Sequence, residues 1–182
     1  MTVIDRYRTL SEEMAARVAA VPDDAWTNPT PCADWTARDL VRHLVEAPRM
    51  FFGMVEVPPP ADGPPVDDDP SGAFAVVRTA VLDALGDPAV ADKEFDGLSG
   101  RQTFAQAIDR FICADLVVHG WDLARSTGQD EHVDPDEARR IHESLEPMEH
   151  TMRGPGAFGP ATEPPPDADE PTKLLCFLGR EV

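Results

Sequence analysis

Asp115 and His119 lie four residues apart in a segment with a strong helical pattern. That spacing stacks the two side chains on one helix face, as when a helix offers two ligands to one ion. On a wheel of 100° per residue, Phe104, Ile108, Phe111, Ile112 and Leu123 share one arc. Asp115, His119 and Asp122 fall inside that arc. An unpaired carboxylate in an apolar setting is costly, so these groups need a partner. A third ligand must come from another element. His43 is the best candidate, because it sits at the edge of an apolar arc beside Leu40 and Ala47. Two imidazoles and one carboxylate suit Zn, Ni or Fe(II) rather than Mg or Ca. Three protein ligands leave a coordination position open, as in a catalytic site. The plainer reading is a hydrogen bond or ion pair between Asp115 and His119 that binds nothing.

Other residues carry paired readings. Trp121 and Arg125, within two turns of His119, either shape and charge a cofactor pocket or serve packing and a salt bridge with Asp122. Cys32 is a thiol activated by a helix N-terminus or a small packed residue. Cys113 falls outside the apolar arc, which makes it a poor ligand. His132 is placed in a loop, and His142 and His150 on a solvated helix side.

These residues need elements to hold them. The first predicted helix runs roughly from Val3 to Ala20, with Ile4, Tyr7, Leu10, Met14 and Val18 at helical steps. The second starts at Thr36, with Asp39 in a capping box. Pro48 interrupts its pattern and should kink it or end it early. Residues 56–70 read as an exposed, mobile Pro/Asp-rich loop. A third helix covers Ser71–Leu85 with Gly86 as its stop, and residues 87–100 read as irregular. The fourth spans about Thr103–Thr127, about 37 Å of helix, and Gly128 ends it. A fifth opens at Asp134-Pro135-Asp136-Glu137 and carries Ile141, Leu145, Met148 and Met152. The tail holds Gly154–Gly159 and a short apolar run, Leu174–Leu178. No convincing strand is read. The expectation is an all-α bundle in a single domain over residues 1–182.

Composition narrows the function classes. The chain has 182 residues, 42% of them hydrophobic, which suits one globular domain. With 16 Lys and Arg against 34 Asp and Glu, the net charge of −18 argues against nucleic acid or an anionic membrane surface as partner. No apolar stretch is long enough to span a bilayer, and no signal-peptide core is read. Three scattered cysteines form no disulfide framework, so a reduced, cytoplasmic setting is expected.

Two blocks carry a family resemblance. Thr30-Pro31-Cys32-Ala33-Asp34-Trp35-Thr36-x-x-Asp39-Leu40-x-x-His43-Leu44 resembles the opening block of the mycothiol-dependent maleylpyruvate isomerase-like proteins of the DinB-like superfamily. Asp115-Leu116-Val117-Val118-His119-Gly120-Trp121-Asp122-Leu123-Ala124-Arg125-x-Thr127-Gly128 resembles their second block. Arg153–Gly159 is similar to the tail of a subfamily known mainly as metal-binding proteins. The resemblance implies a DinB-like four-helix bundle with an additional C-terminal helix or tail. It implies a metal triad at His43, Asp115 and His119, with Asp115 where the isomerase has Glu. It also implies zinc with a low-molecular-weight thiol such as mycothiol, acting as a transferase or isomerase on small electrophiles. A homodimer is compatible with the resemblance and the acidic surface. Two rival readings stay open: a metal-binding or ligand-sensing module without catalysis, and a metal-free structural bundle.

Overall fold

The apolar sets of the first four predicted helices contribute to one core in a computed structural model that describes residues 1–97, 100–153 and 159–182. Residues 154–158, most of the tail motif, lie outside the described residues. By the clustering of its contacts the chain forms two compact units, Met1–Asp130 and Glu131–Val182.

The first unit is built on four long helical elements. Helix α1, Val3–Ala19, is capped by the Thr2 side chain and buries Tyr7, Leu10, Met14 and Val18. Helix α2, Ala37–Met54, starts with the predicted capping box, Thr36 and Asp39 each bonding the other's backbone. Such a box satisfies two of the amide donors that a helix start leaves open. The helix does not end at Pro48 but continues six residues beyond it. Pro48 is itself buried, so its ring fills core space while removing the amide that would serve the Leu44 carbonyl. Helix α3, Pro70–Gly86, is capped by Asp69.

Residues 87–103, read as irregular up to residue 100, hold more structure than the sequence suggested. Pro88–Ala91 forms a short helix, α4, capped by Asp87. Strands β1, Glu94–Gly97, and β2, Gly100–Thr103, pair antiparallel with Phe95 opposite Gln102. Each is four residues long and presents one buried side chain, too short for an alternating pattern to stand out.

The fourth element is one helical run with a change of pitch. Thr103 caps α5, Phe104–Ala107, in a second capping box with Gln106. A π-helical segment follows, Ile108–Ile112, and then α6, Cys113–Thr127. Gly128 ends it in the left-handed conformation at φ 72°, as predicted. The π turn inserts a residue, which rotates everything after it by about 100° relative to the straight wheel. Two expectations change as a result. Cys113, expected off the apolar arc, is fully buried. Asp115, expected inside the arc, sits at its edge with its side chain 32% exposed.

Helix α1 packs on α3 and α6, and α2 packs on the same two, so the four close into a bundle around a core that includes Leu40, Val77, Val81, Phe104, Ile108 and Leu123. The fold is all-α and DinB-like apart from the small hairpin. The acidic loop between α2 and α3 is fastened by arginines of α2. Arg38 donates to the carbonyls of Val66 and Asp67, and Arg49 to those of Pro60 and Ala61.

The second unit pairs α7, Pro135–Leu145, with α9, Glu170–Phe177. Asp134 caps α7 and Asp169 caps α9. Helix α8, Glu149–Met152, lies between them in sequence. The apolar run in the tail is thus the buried part of a helix, with Leu174 through Leu178 all buried. His142, expected on a solvated side, instead packs its ring 4.7 Å from that of Phe177. No helix among the described residues is long and apolar enough to cross a membrane.

Candidate metal centre

Three side chains from two facing helices meet at the centre. His43 projects from α2; Asp115 and His119 project from α6, one turn apart. One ligand atom from each lies within 4.8 Å of the others. The His43 Nε2 and Asp115 Oδ2 atoms are 3.3 Å apart. Metal–ligand bonds of about 2.0–2.2 Å in a tetrahedron give an edge of about 3.3–3.6 Å, so one edge already has that length. The histidine rings stand edge to face, 5.1 Å apart.

A carboxylate orients each imidazole, and one of them sets a tautomer. His119 Nδ1–H donates to Asp122 Oδ2 at 2.9 Å, three residues on along α6, and Asp122 is fully buried. The donor Nδ1 leaves Nε2 with its lone pair for an ion, the arrangement in which a carboxylate orients a ligating imidazole. His43 faces Asp115 directly. Burial lowers its pKa, but the Asp115 hydrogen bond and charge, helped by Glu46, outweigh this, so the net shift is upward. Without an ion the charged form of His43 is therefore favoured relative to a free imidazole. Two imidazoles, one carboxylate and a second carboxylate behind one imidazole fit zinc, nickel or Fe(II).

A fourth side chain, Trp35, forms a wall. Its ring lies 5.0 Å from that of His43 and 5.8 Å from that of His119. The segment before α2 holds it there by backbone bonds: Thr30 N–H to the Trp35 carbonyl, Ala37 N–H to Asn28, and Arg38 N–H to Trp26. Asn28 Nδ2 donates to the Ser126 carbonyl near the end of α6. Asp34, just before Trp35, takes a left-handed φ of 66°. Asp is among the few residues that tolerate this conformation, which turns the chain into Trp35.

His43, Asp115 and His119, singled out from the sequence, are thus brought together. Trp121 and Arg125 form their own pair, the guanidinium 5.0 Å over the indole, with Trp121 buried. Two residues along a helix is about 200° of rotation, so Trp121 lies on another side of α6 from His119. Cys32 is half-buried in the turn that leads to Trp35. Sequence reasoning missed the role of Trp35, although it stands inside the first of the two blocks that carry the family resemblance. Its signal was a lone aromatic directly before a helix cap, eight residues from a ligand candidate.

A narrow apolar recess adjoins Asp115, lined by Tyr7, Leu44, Ala47, Pro48, Phe74 and Leu116 among others. Burial, then the neighbouring Cys113, pushes the Tyr7 hydroxyl well above its ordinary range. It stays a neutral phenol, which rules it out as a base at neutral pH.

Comparison with known proteins agrees with this architecture. The family described as the mycothiol maleylpyruvate isomerase N-terminal domain matches residues 7–124, from α1 almost to the end of α6. Two uncharacterised proteins of Mycobacterium tuberculosis, one from strain CDC 1551 / Oshkosh and one from strain H37Rv, are each 30% identical, over 97% of this chain and 96% of their own length. No solved structure matches.

Proposed function

This chain belongs to the mycothiol maleylpyruvate isomerase N-terminal domain family, and on that premise we propose that it is a metal-dependent enzyme using a low-molecular-weight thiol. In this reading His43, Asp115 and His119 hold one divalent ion, zinc before nickel or Fe(II). The thiol is mycothiol or a close analogue, and the reaction is a transfer to, or isomerisation of, a small electrophile.

The observation that carries the reading is the convergence of three ligand atoms within 4.8 Å, one imidazole of which has its other nitrogen tied to a buried carboxylate. A polar cluster at the junction of two helices is an expensive way to stabilise a bundle and an ordinary way to bind a metal. Bound there, the ion would supply Lewis acidity and hold a thiol as its thiolate at neutral pH. The chain's own residues do the rest. Asp122, bonded to Nδ1 of His119, orients the ring so that Nε2 is the nitrogen offered to the ion. Asp115 supplies a negative charge and sits at the edge of the buried face, where small molecules reach it. Trp35 covers the two imidazoles on one side and limits water there.

The test is turnover of mycothiol with a panel of small electrophiles by zinc-loaded protein, beside His119→Ala. Thiol adducts or isomerised product from wild type and none from the variant are expected. Tight zinc binding without turnover on any electrophile would instead favour a metal-binding or sensing module.

A further inference from the structure

Arg6 is one of the most deeply buried charged residues of the protein, 2% exposed, and it lies on α1, away from the three ligands in sequence and element. Its Nη1 donates to the Asp109 backbone carbonyl at 2.6 Å and to Asp109 Oδ1 at 3.0 Å. Asp109 is in the π segment. In an α-helix its carbonyl would accept from the amide of Cys113, four residues on. Here the Cys113 amide reaches back five residues to the Ile108 carbonyl. The Asp109 carbonyl has lost its ordinary donor, and the guanidinium stands in that place. Losing the amide donor of a part-buried carbonyl is costly, so a guanidinium in that place stabilises the π turn.

The π turn also sets the face that Asp115 shows. On a straight helix Asp115 falls in the same arc as Phe104 and Ile108, both fully buried. With the extra residue it stands at the edge of the buried face, within 3.3 Å of His43 Nε2. We infer that Arg6 is a positioning residue for the metal centre: by replacing the Cys113 amide at the Asp109 carbonyl, it holds the π turn that aims Asp115 and His119 at His43. The inference rests on the metal reading of that centre for its functional meaning, and on the backbone geometry alone for its structural half.

The experiment compares wild type, Arg6→Met and Arg6→Lys, with Arg78→Met as control. Arg78 also ties α1 to a neighbouring helix, through Ser11 and Glu12, and its hydrogen bonds go to these two residues rather than to the π segment. Two readouts are taken on each: a crystal structure without added metal, and zinc affinity by chelator competition. Arg6→Met should return the Cys113 amide to the Asp109 carbonyl, move Asp115 away from His43, and weaken zinc by about 10–100-fold, the range for losing a group that supports a ligand. Arg6→Lys keeps one cationic donor and should recover most of the affinity. Arg78→Met should lower the melting temperature and leave zinc affinity unchanged. A π segment intact in Arg6→Met, or zinc held as tightly as in wild type, overturns the inference. Should Arg6→Met not fold, Arg6→Lys is judged by the same two readouts, with the same direction and a smaller size of effect. Should wild type hold no zinc, the metal reading falls, and the structural half still stands or falls on the crystal structure.

Discussion

Two histidine-bearing clusters in this protein, one with two imidazoles and one with a single imidazole, are built to opposite ends. In the first unit, His43 and His119 face carboxylates: Asp115 at 3.3 Å from one ring and Asp122 at 2.9 Å from the other. In the second unit, His142 lies against a ring, 4.7 Å from Phe177, and Arg153 stacks over the same phenyl at 5.2 Å. Arg153 is further occupied by the carbonyls of Gly159 and Phe177 and by Glu149. One cluster uses imidazole nitrogens as directed donors and acceptors; the other uses imidazole and guanidinium as flat, partly apolar bodies. Histidine content alone thus says little about chemistry. What separates the two is the buried Asp122 carboxylate bonded to His119 Nδ1, which directs the other ring nitrogen toward His43 and Asp115.

The comparison can be broken, and Phe177→Ala is the harshest attempt. Truncating a buried phenylalanine costs about 3–5 kcal/mol. A thermal melt should show that loss, while zinc affinity by chelator competition stays at its wild-type value. A parallel fall in zinc affinity would mean that the two clusters are not independent.

Asp122→Asn sharpens it from the other side. An amide at that position can turn its NH2 toward His119 Nδ1 and drive the proton to Nε2. Zinc affinity should fall by about 10–100-fold, with most of the stability kept. An unchanged affinity would remove the distinction drawn between the clusters.

The smallest effect is one of pH. The folded-state pKa of His43 is raised above its ordinary 6.5. Its pairing with Asp115 therefore adds stability to the metal-free fold below pH 6.5, and that stability is lost as pH rises through the folded value. Zinc needs the neutral imidazole, so its affinity rises over the same window. Melting temperatures of chelator-treated and zinc-loaded protein should diverge from about pH 6 to 8. His43→Gln should flatten the metal-free slope; an unchanged slope would assign it to another group.

Much of this was readable before any coordinates. Thr36 with Asp39, Asp134 with Pro135, and Gly128 are local signals whose physics acts within one helix turn, and each marks a true helix end. His43, Asp115 and His119 could be singled out because ionisable groups on apolar arcs demand a partner. The π turn was not legible, because the guanidinium bonded to its Asp109 carbonyl belongs to Arg6, more than a hundred residues away in the chain. That one unseen feature displaced the expected faces of both Cys113 and Asp115. The hairpin at Glu94–Thr103 was too short to show a period. Trp35 was visible as a residue but not as a wall, since its place depends on backbone bonds between Thr30, Trp35 and the start of α2. The helix at Glu170–Phe177 was seen only as an apolar run, because eight residues give barely two turns of pattern.

The central claim is that His43, Asp115 and His119 hold a metal ion. Its most direct test is elemental analysis of protein purified without an affinity tag, wild type beside His43→Ala, each incubated with zinc and dialysed. The account predicts close to one zinc per wild-type chain and little in the variant. Equal content in the two, or none in either, would contradict it and leave the cluster as a set of partly buried ion pairs.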